Sequence, residues 1–200
     1  MVTILFASPR DKGNTASLLK PFIETLKSEG EDIVFFNLYA MEIEGCRACR
    51  ACQDQFQIFG CPIEDDMHRV FDSIIKSDLI LLASPVYSWY VTAPLKAALD
   101  RLVYGMNKYY GKKRGPCLWE NKAMALLVSC GYPPQRGADL LEEGMRRYAK
   151  HSGLRYLGML AEQDKGYNEK FMDQEKEKRV GKFARELLRK LYPCDTSFIG

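Results

Sequence analysis

The sequence predicts an α/β fold, a three-layer sandwich in which helices cover both faces of a five-stranded parallel sheet. Two observations carry this. Strand-like apolar runs alternate five times with segments of helical spacing, the pattern of successive βα units. The runs at 2–7 (VTILFA) and 78–83 (DLILLA) are apolar nearly throughout rather than alternating, as in a sheet buried on both faces. Five such units fit the strand order 2-1-3-4-5, whose ligands sit beyond the carboxyl ends of the strands at the switch point.

The elements follow in order. The first strand, 2–7, leads through a polar turn into a helix over 16–28, where Leu18, Leu19, Phe22, Ile23 and Leu26 recur at helical spacing. The second strand is 32–38 (DIVFFNL). Residues 39–62 then form a connection with neither period, and they hold four of the seven cysteines. Loops this long inside a domain are usually functional or disordered. A helix over 64–76 opens on Glu64-Asp65-Asp66, acidic residues that suit a helix N-terminus. The third strand, 78–83, is followed by a turn at 84–92 and a helix over 93–104 with Pro94 in its first turn. Residues 105–121 are a basic, aromatic insertion. A fourth strand (122–129), an exit turn (130–134), a helix (136–151), a fifth strand (154–161), a charged helix (168–191) and a tail (192–200) complete the chain. No repeat or linker divides it, so 1–200 is expected to be one domain with a cysteine-rich insertion at 39–62.

Composition excludes several classes. Apolar residues make up 46% and charged residues 28%, ordinary for a globular protein. A net charge of +3 with scattered basic residues does not suggest nucleic acid. No apolar run reaches membrane-spanning length and no signal-peptide pattern opens the chain, so no membrane partner and a cytoplasmic location are expected. Clustered cysteines in a reducing compartment point to metal or redox chemistry rather than a disulfide scaffold.

The first turn reads as an anion site. Orphan N–H groups and the macrodipole at the helix start favour negative charge. Ser8, Asn14 and Thr15 add donors, Arg10 and Lys12 add charge, and Gly13 permits close backbone approach. Neither a P-loop nor a dinucleotide fingerprint is present; a capped polar turn without ligand is the plainer alternative. In the predicted topology the turns after strands one, three and four meet. The second of these, Ser84-Pro85-Val86-Tyr87-Ser88-Trp89-Tyr90, offers backbone polar groups and three aromatic rings that could cover a flat ligand. The third is Ser129-Cys130-Gly131-Tyr132.

Ser8-Pro9-Arg10…Gly13-Asn14-Thr15, together with Ser84-Pro85-Val86-Tyr87, Ala93, Leu95-Lys96 and Asp100-Arg101, resembles the NADPH-dependent FMN reductase and iron–sulfur flavoprotein group of the flavodoxin-like fold. The resemblance runs from about residue 2 to 131. It implies FMN, with its phosphate on Ser8, Arg10, Asn14 and Thr15; the turn's own chemistry adds Lys12 and Gly13 to the cofactor-binding residues. The resemblance places the ring against Pro85, Val86, Tyr87, Ser88 and Trp89, with Ser129 and Gly131 beside it. It also implies a homodimer or homotetramer.

Cys46, Cys49 and Cys52 stand at two-residue gaps, and Cys61-Pro62 follows after eight residues. Four thiolates so spaced suit an iron–sulfur cluster or zinc. The spacing is closer to a [4Fe–4S] run than to the paired thiols of zinc sites, while buried or redox-active thiols without metal are the third reading. Arg47 and Arg50 would offset a cluster's negative charge. The resembled iron–sulfur flavoproteins carry a compact cysteine motif in this loop; the gap before Cys61 is longer here.

Other residues read plainly. Cys117, Cys130 and Cys194 are isolated, and His68 and His151 look structural. Asp65 and Asp66 suit capping, and Lys108, Lys112, Lys113 and Arg114 form an exposed basic loop. The expected function is a redox protein passing electrons between a one-electron carrier such as ferredoxin, a [4Fe–4S] cluster and FMN, to a small acceptor. The alternatives are an NAD(P)H-dependent FMN or quinone reductase without a cluster and a non-enzymatic module with a zinc-bound loop.

Overall fold

The computed structural model describes residues 1–166 and 168–193; Cys194 and the expected tail beyond Pro193 lie outside the described residues. The strands are β1 (Val2–Phe6), β2 (Ile33–Asn37), β3 (Leu79–Pro85), β4 (Ala123–Cys130) and β5 (Arg155–Gln163). The helices are α1 (Asn14–Ser28), α2 (Met67–Lys76), α3 (Ala93–Met106), α4 (Pro134–Gly137), α5 (Asp139–His151) and α6 (Gln174–Leu191). Every pairing is parallel and the order is β2-β1-β3-β4-β5, the flavodoxin-like arrangement expected.

The two-residue period of a strand divides the core. Val2, Ile4 and Phe6, with Leu79, Leu81 and Ala83 and with Ala123, Ala125 and Leu127, pack on α1 and α6. Leu5, Ile80, Leu82, Met124, Leu126 and Val128 face the other way, against α2, α3 and α5. The three central strands are buried on both faces, and each fully buried leucine contributes about 1.5–3 kcal/mol. The register sets Phe6 beside Ala83, and Pro85 beside Ser129, so the turns after β1, β3 and β4 leave the sheet together.

Several boundaries differ from expectation. α1 begins at Asn14, so Asn14 and Thr15 are its first turn. α2 begins only at Met67, after the acidic run. β3 continues through Pro85, so the second turn starts later. The helix expected over 136–151 is broken: Ala138, at φ −132°, separates α4 from α5. α6 starts at Gln174, capped by the Asp173 carboxylate accepting from the Lys176 N–H at 2.7 Å. The connection 39–62 carries two short 3-10 turns, Leu38–Ala40 and Ala51–Asp54. The expected exposed basic loop is exposed at Lys112, Lys113 and Arg114, but Lys108 is fully buried.

Among the described residues no helix is long and apolar enough to cross a membrane. A hollow of about 530 Å³ lies between α1 and the edge strand β2, walled by Phe6, Leu19, Ile23 and Phe35; it touches none of the predicted cofactor residues.

Candidate functional site

The three turns are tied to one another by hydrogen bonds. The Thr15 hydroxyl meets the Ser129 hydroxyl at 2.8 Å, joining the first turn to the third. The Val86 N–H donates to the Ser129 carbonyl at 2.8 Å, joining the second to the third. The Thr92 hydroxyl donates to the Ala7 carbonyl at 2.8 Å, joining the second to the first. Ser8, Thr15, Thr92 and Ser129 are all buried, so these bonds act in a low-dielectric setting and fix the crevice before any ligand arrives.

The first turn closes on itself. The Ser8 hydroxyl accepts from the Arg10 N–H at 3.3 Å and donates to the Arg10 carbonyl at 3.2 Å. The Gly13 N–H donates to that same carbonyl at 3.0 Å. A Cβ at Gly13 would stand 3.0 Å from the Arg10 Cβ and 3.2 Å from its carbonyl oxygen. A larger residue there would press on the turn's own closure, a second reason for glycine beside the close ligand approach expected. The helix ladder starts with Ser17 N–H on the Gly13 carbonyl, which leaves the N–H groups of Asn14, Thr15 and Ala16 ahead of it. Exposed Arg10 and Lys12 stand beside them, and Asn14 is half-buried. The arrangement suits an anion.

The second turn is a tight hairpin. Tyr87 N–H donates to the Tyr90 carbonyl at 2.9 Å, and Tyr90 N–H returns to Tyr87 at 3.0 Å. Ser88 and Trp89 both take left-handed backbone, at φ 50° and 61°. This is the type I′ geometry that asparagine and glycine normally fill, and each non-glycine residue there costs about 1–2 kcal/mol. The result is a rigid aromatic shelf. The Trp89 indole N–H donates to the Arg136 carbonyl at 3.1 Å, and its ring lies within 8° of parallel to Tyr132, centroids 6.1 Å apart. Val86, Ser88, Trp89, Gly131, Tyr132 and Gly137 line a hollow of about 170 Å³. A Cβ at Gly131 would meet nothing within 4 Å, so its space is open to a ligand. Pro85 and Tyr87 flank the same turn without lining that hollow. Tyr132 and Gly137 were not among the predicted site residues; Tyr132 was legible, two residues after Cys130 in the third turn.

The cysteine loop is built by distant partners. Cys46, Cys49, Cys52 and Cys61 line a single cavity together with Ile63, Arg101 and Tyr104. Ala48 and Arg50, at φ 51° and 61°, turn the chain left-handed between the first three thiols. Phe59 anchors the loop: it is buried, stacks on Phe71 at 4.9 Å and meets the His68 ring edge-on at 5.5 Å. A side chain at Gly105 of α3 would collide with the Phe59 ring at 2.1 Å. The buried Gln53 amide donates to the Tyr104 and Asn107 carbonyls at 2.6 and 3.1 Å and accepts from the Tyr110 N–H at 2.8 Å.

Two buried cations complete the loop, and sequence reasoning assigned neither a role there. Lys108 Nζ donates to the carbonyls of Cys52, Ile58 and Phe59 at 2.9, 2.8 and 3.1 Å. Arg101 pairs with Asp65, donates to the Cys61 sulfur at 3.3 Å and to the Ile63 carbonyl at 3.1 Å. The expected capping is only partly seen: Asp66 is the N-cap residue of α2 but its carboxylate accepts from the Glu42 N–H instead, while Asp65, one residue earlier, accepts from the Met67 N–H at 3.1 Å and the Glu44 N–H at 2.9 Å and holds Arg101. Burial would raise the Asp65 carboxyl; the Arg101 guanidinium and the two N–H groups outweigh it and hold it below the ordinary carboxylate value. Burial pushes the Cys52 thiol up, against the pull of Gln53 and Lys108.

The thiol set and its cavity bear directly on whether a metal group fits. The donors fit: four thiols around one cavity, beside two cations, with the buried Nε of Arg101 lacking any hydrogen-bond partner. Among the described residues no three His, Cys, Asp or Glu side chains converge as on a metal ion, so the four thiols share a cavity without standing as ligands to one centre. The enclosed space, about 20 Å³, has room for one water, so a four-iron core requires the 46–52 run to move outward. Cys117 and Cys130 lie outside this cavity: Cys117 donates to Asn107 Oδ1 at 3.2 Å and Cys130 to the Tyr132 carbonyl at 3.2 Å.

Residues 1–159 match the family of NADPH-dependent FMN reductases. An iron–sulfur flavoprotein of Methanocaldococcus jannaschii is 35% identical over 94 residues, 47% of each chain. One from Methanosarcina thermophila is 34% identical over 114 residues, 56% of this chain and 57% of its own. The chain thus spans about half the length of the curated relatives it matches. Among solved structures, the NAD(P)H:quinone oxidoreductase of Methanothermobacter marburgensis superposes with a TM-score of 0.68 at 23% identity, covering 96% of this chain and 95% of that one, a likeness of fold.

Proposed function

Because the chain belongs to the NADPH-dependent FMN reductase family, we propose that it is an FMN-dependent oxidoreductase of the iron–sulfur flavoprotein type. The observation that carries the flavin is the three-turn crevice closed through Thr15, Val86, Thr92 and Ser129. The observation that carries the cluster is that all four motif cysteines wall one cavity. Bound FMN supplies the exchange between one- and two-electron steps, and a [4Fe–4S] cluster supplies single-electron storage.

The chain's own groups position and shield. The start of α1, with Arg10 and Lys12, binds the FMN phosphate, while Ser8 and Thr15 hold the turn in shape. Val86 to Trp89 and Gly131 meet the ring, and the stacked Trp89 and Tyr132 face solvent as a shelf for an incoming planar substrate. Cys46, Cys49, Cys52 and Cys61 would hold the cluster, which would supply one-electron exchange with a carrier such as ferredoxin, and Cys49 is the exposed one of the four. No general acid or base is needed. The working form is a homodimer or homotetramer, in the cytoplasm.

The second reading, an NAD(P)H-dependent FMN or quinone reductase without a cluster, is favoured by the tightness of the thiol cavity. Protein purified without oxygen distinguishes them, by its visible spectrum and by counts of iron, sulfide, zinc and FMN. About four irons and one FMN per chain support the cluster reading. FMN alone, bleached rapidly by NADPH, supports the second. Protein without FMN overturns both.

A further inference from the structure

Lys108 is a buried cation that lacks a matching anion among the described residues. Its side chain is fully buried, and its three bonds all go to carbonyls of the cysteine loop. Among the described residues no carboxylate forms an ion pair with it. Of the groups able to carry the opposite charge, the one beside it belongs to Cys52, whose carbonyl lies 2.9 Å from Nζ. Burying an unpaired charge is strongly unfavourable unless a counter-charge completes the site, and carbonyl dipoles offset only part of that cost. Arg101 makes the contrast. It is equally buried, but Asp65 neutralises it, and only its Nε is left without a partner.

We propose that Lys108 is the built-in counter-charge of the metal group held by Cys46, Cys49, Cys52 and Cys61, and that it raises the potential at which that group takes up an electron. This rests on the iron–sulfur reading above. Four thiolates make the loop anionic, and each electron delivered by a one-electron carrier adds one more negative charge; no bond is made and no proton moves. A fixed positive charge buried behind the loop, on the carbonyls of Cys52, Ile58 and Phe59, favours the reduced state. Arg47 and Arg50 line the thiol cavity itself but are exposed, so water and salt screen them. Lys108 touches a ligand's main chain rather than the metal group itself and is a positioning residue.

The test is an anaerobic redox titration of the cluster in the wild type, Lys108→Gln, Lys108→Arg and the exposed control Arg50→Gln, with iron and FMN counted in each. Lys108→Gln keeps a donor for the loop carbonyls but loses the charge. Its oxidised-to-reduced ratio at fixed potential should rise at least tenfold, a fall in midpoint of about 59 mV. Lys108→Arg should stay near the wild type and Arg50→Gln should shift less than Lys108→Gln. A Lys108→Gln protein that retains FMN but holds no iron, while Lys108→Arg holds it, also supports the charge role. An iron-loaded Lys108→Gln protein with an unchanged midpoint overturns the inference and leaves the iron–sulfur reading intact. Loss of iron in both lysine variants overturns it too, because packing and not charge is then what matters. A wild type without iron overturns the iron–sulfur reading and this inference together.

Discussion

The phosphate turn and the cysteine loop bind their proposed ligands by opposite constructions. The turn at 8–15 closes on itself through bonds within five positions and is tied outward through Thr15 to Ser129 and Asp11 to Asn37, and the start of α1 provides the charge. The loop at 39–62 is assembled from afar. Arg101 reaches Cys61 across 40 positions and Lys108 reaches Cys52 across 56. A site made of backbone needs little from its neighbours, whereas a site made of side chains depends on every element that seats it.

The largest test of that difference is Cys49→Ala. Iron should fall to background while FMN stays bound within about twofold, because the loop and the crevice share no bond and only the cluster needs the thiolate as a ligand. Loss of both together would show the two regions to be one unit. Next is Arg101→Met, which strands the buried Asp65. Removing one partner of a buried pair costs about 3–5 kcal/mol, read as a lower urea midpoint. The pair also makes an acid limb. The Asp65 carboxyl is held down in the folded chain, so its contribution is fully present above the unfolded value of about 3.9 and is lost as pH falls through the folded value. Arg101→Met should flatten stability against pH in that range; an unchanged slope would mean that the pair does not govern it. The smallest effect is Arg10→Ala. Arg10 is exposed and the backbone donors remain, so FMN should bind roughly 3- to 10-fold more weakly, by fluorescence titration. An unchanged affinity would leave the phosphate to the backbone alone.

The same contrast governs what the sequence makes legible. β1, β3 and β4 are apolar runs whose burial needs no context; their alternation with helices points to a parallel sheet, and the family resemblance selects its strand order. The first turn is contiguous, so Ser8, Arg10, Gly13, Asn14 and Thr15 could be read in place. Lys108 could not. It sits four residues before Lys112-Lys113-Arg114 and shares their composition, and only the folding of Phe59 and Cys52 over it separates a buried cation from an exposed one. Arg101 appeared inside a recognisable pattern, but its task depends on Asp65, 36 positions earlier. Ala138 broke a helix whose periodicity ran on through it.

The span between the thiols and their seat also sets an order in time. At about 5–20 residues per second, the ribosome makes Cys52 roughly 3–10 s before Lys108, 56 positions later. Through that interval the nascent chain displays its thiols with nothing beneath them, and closing the loop early would meet only the entropy of a long chain. Seating of the loop therefore waits until α3 and the segment behind it have emerged, just past the midpoint of the chain. The crevice for FMN is later still, because Ser129, which ties its three turns, is made after both.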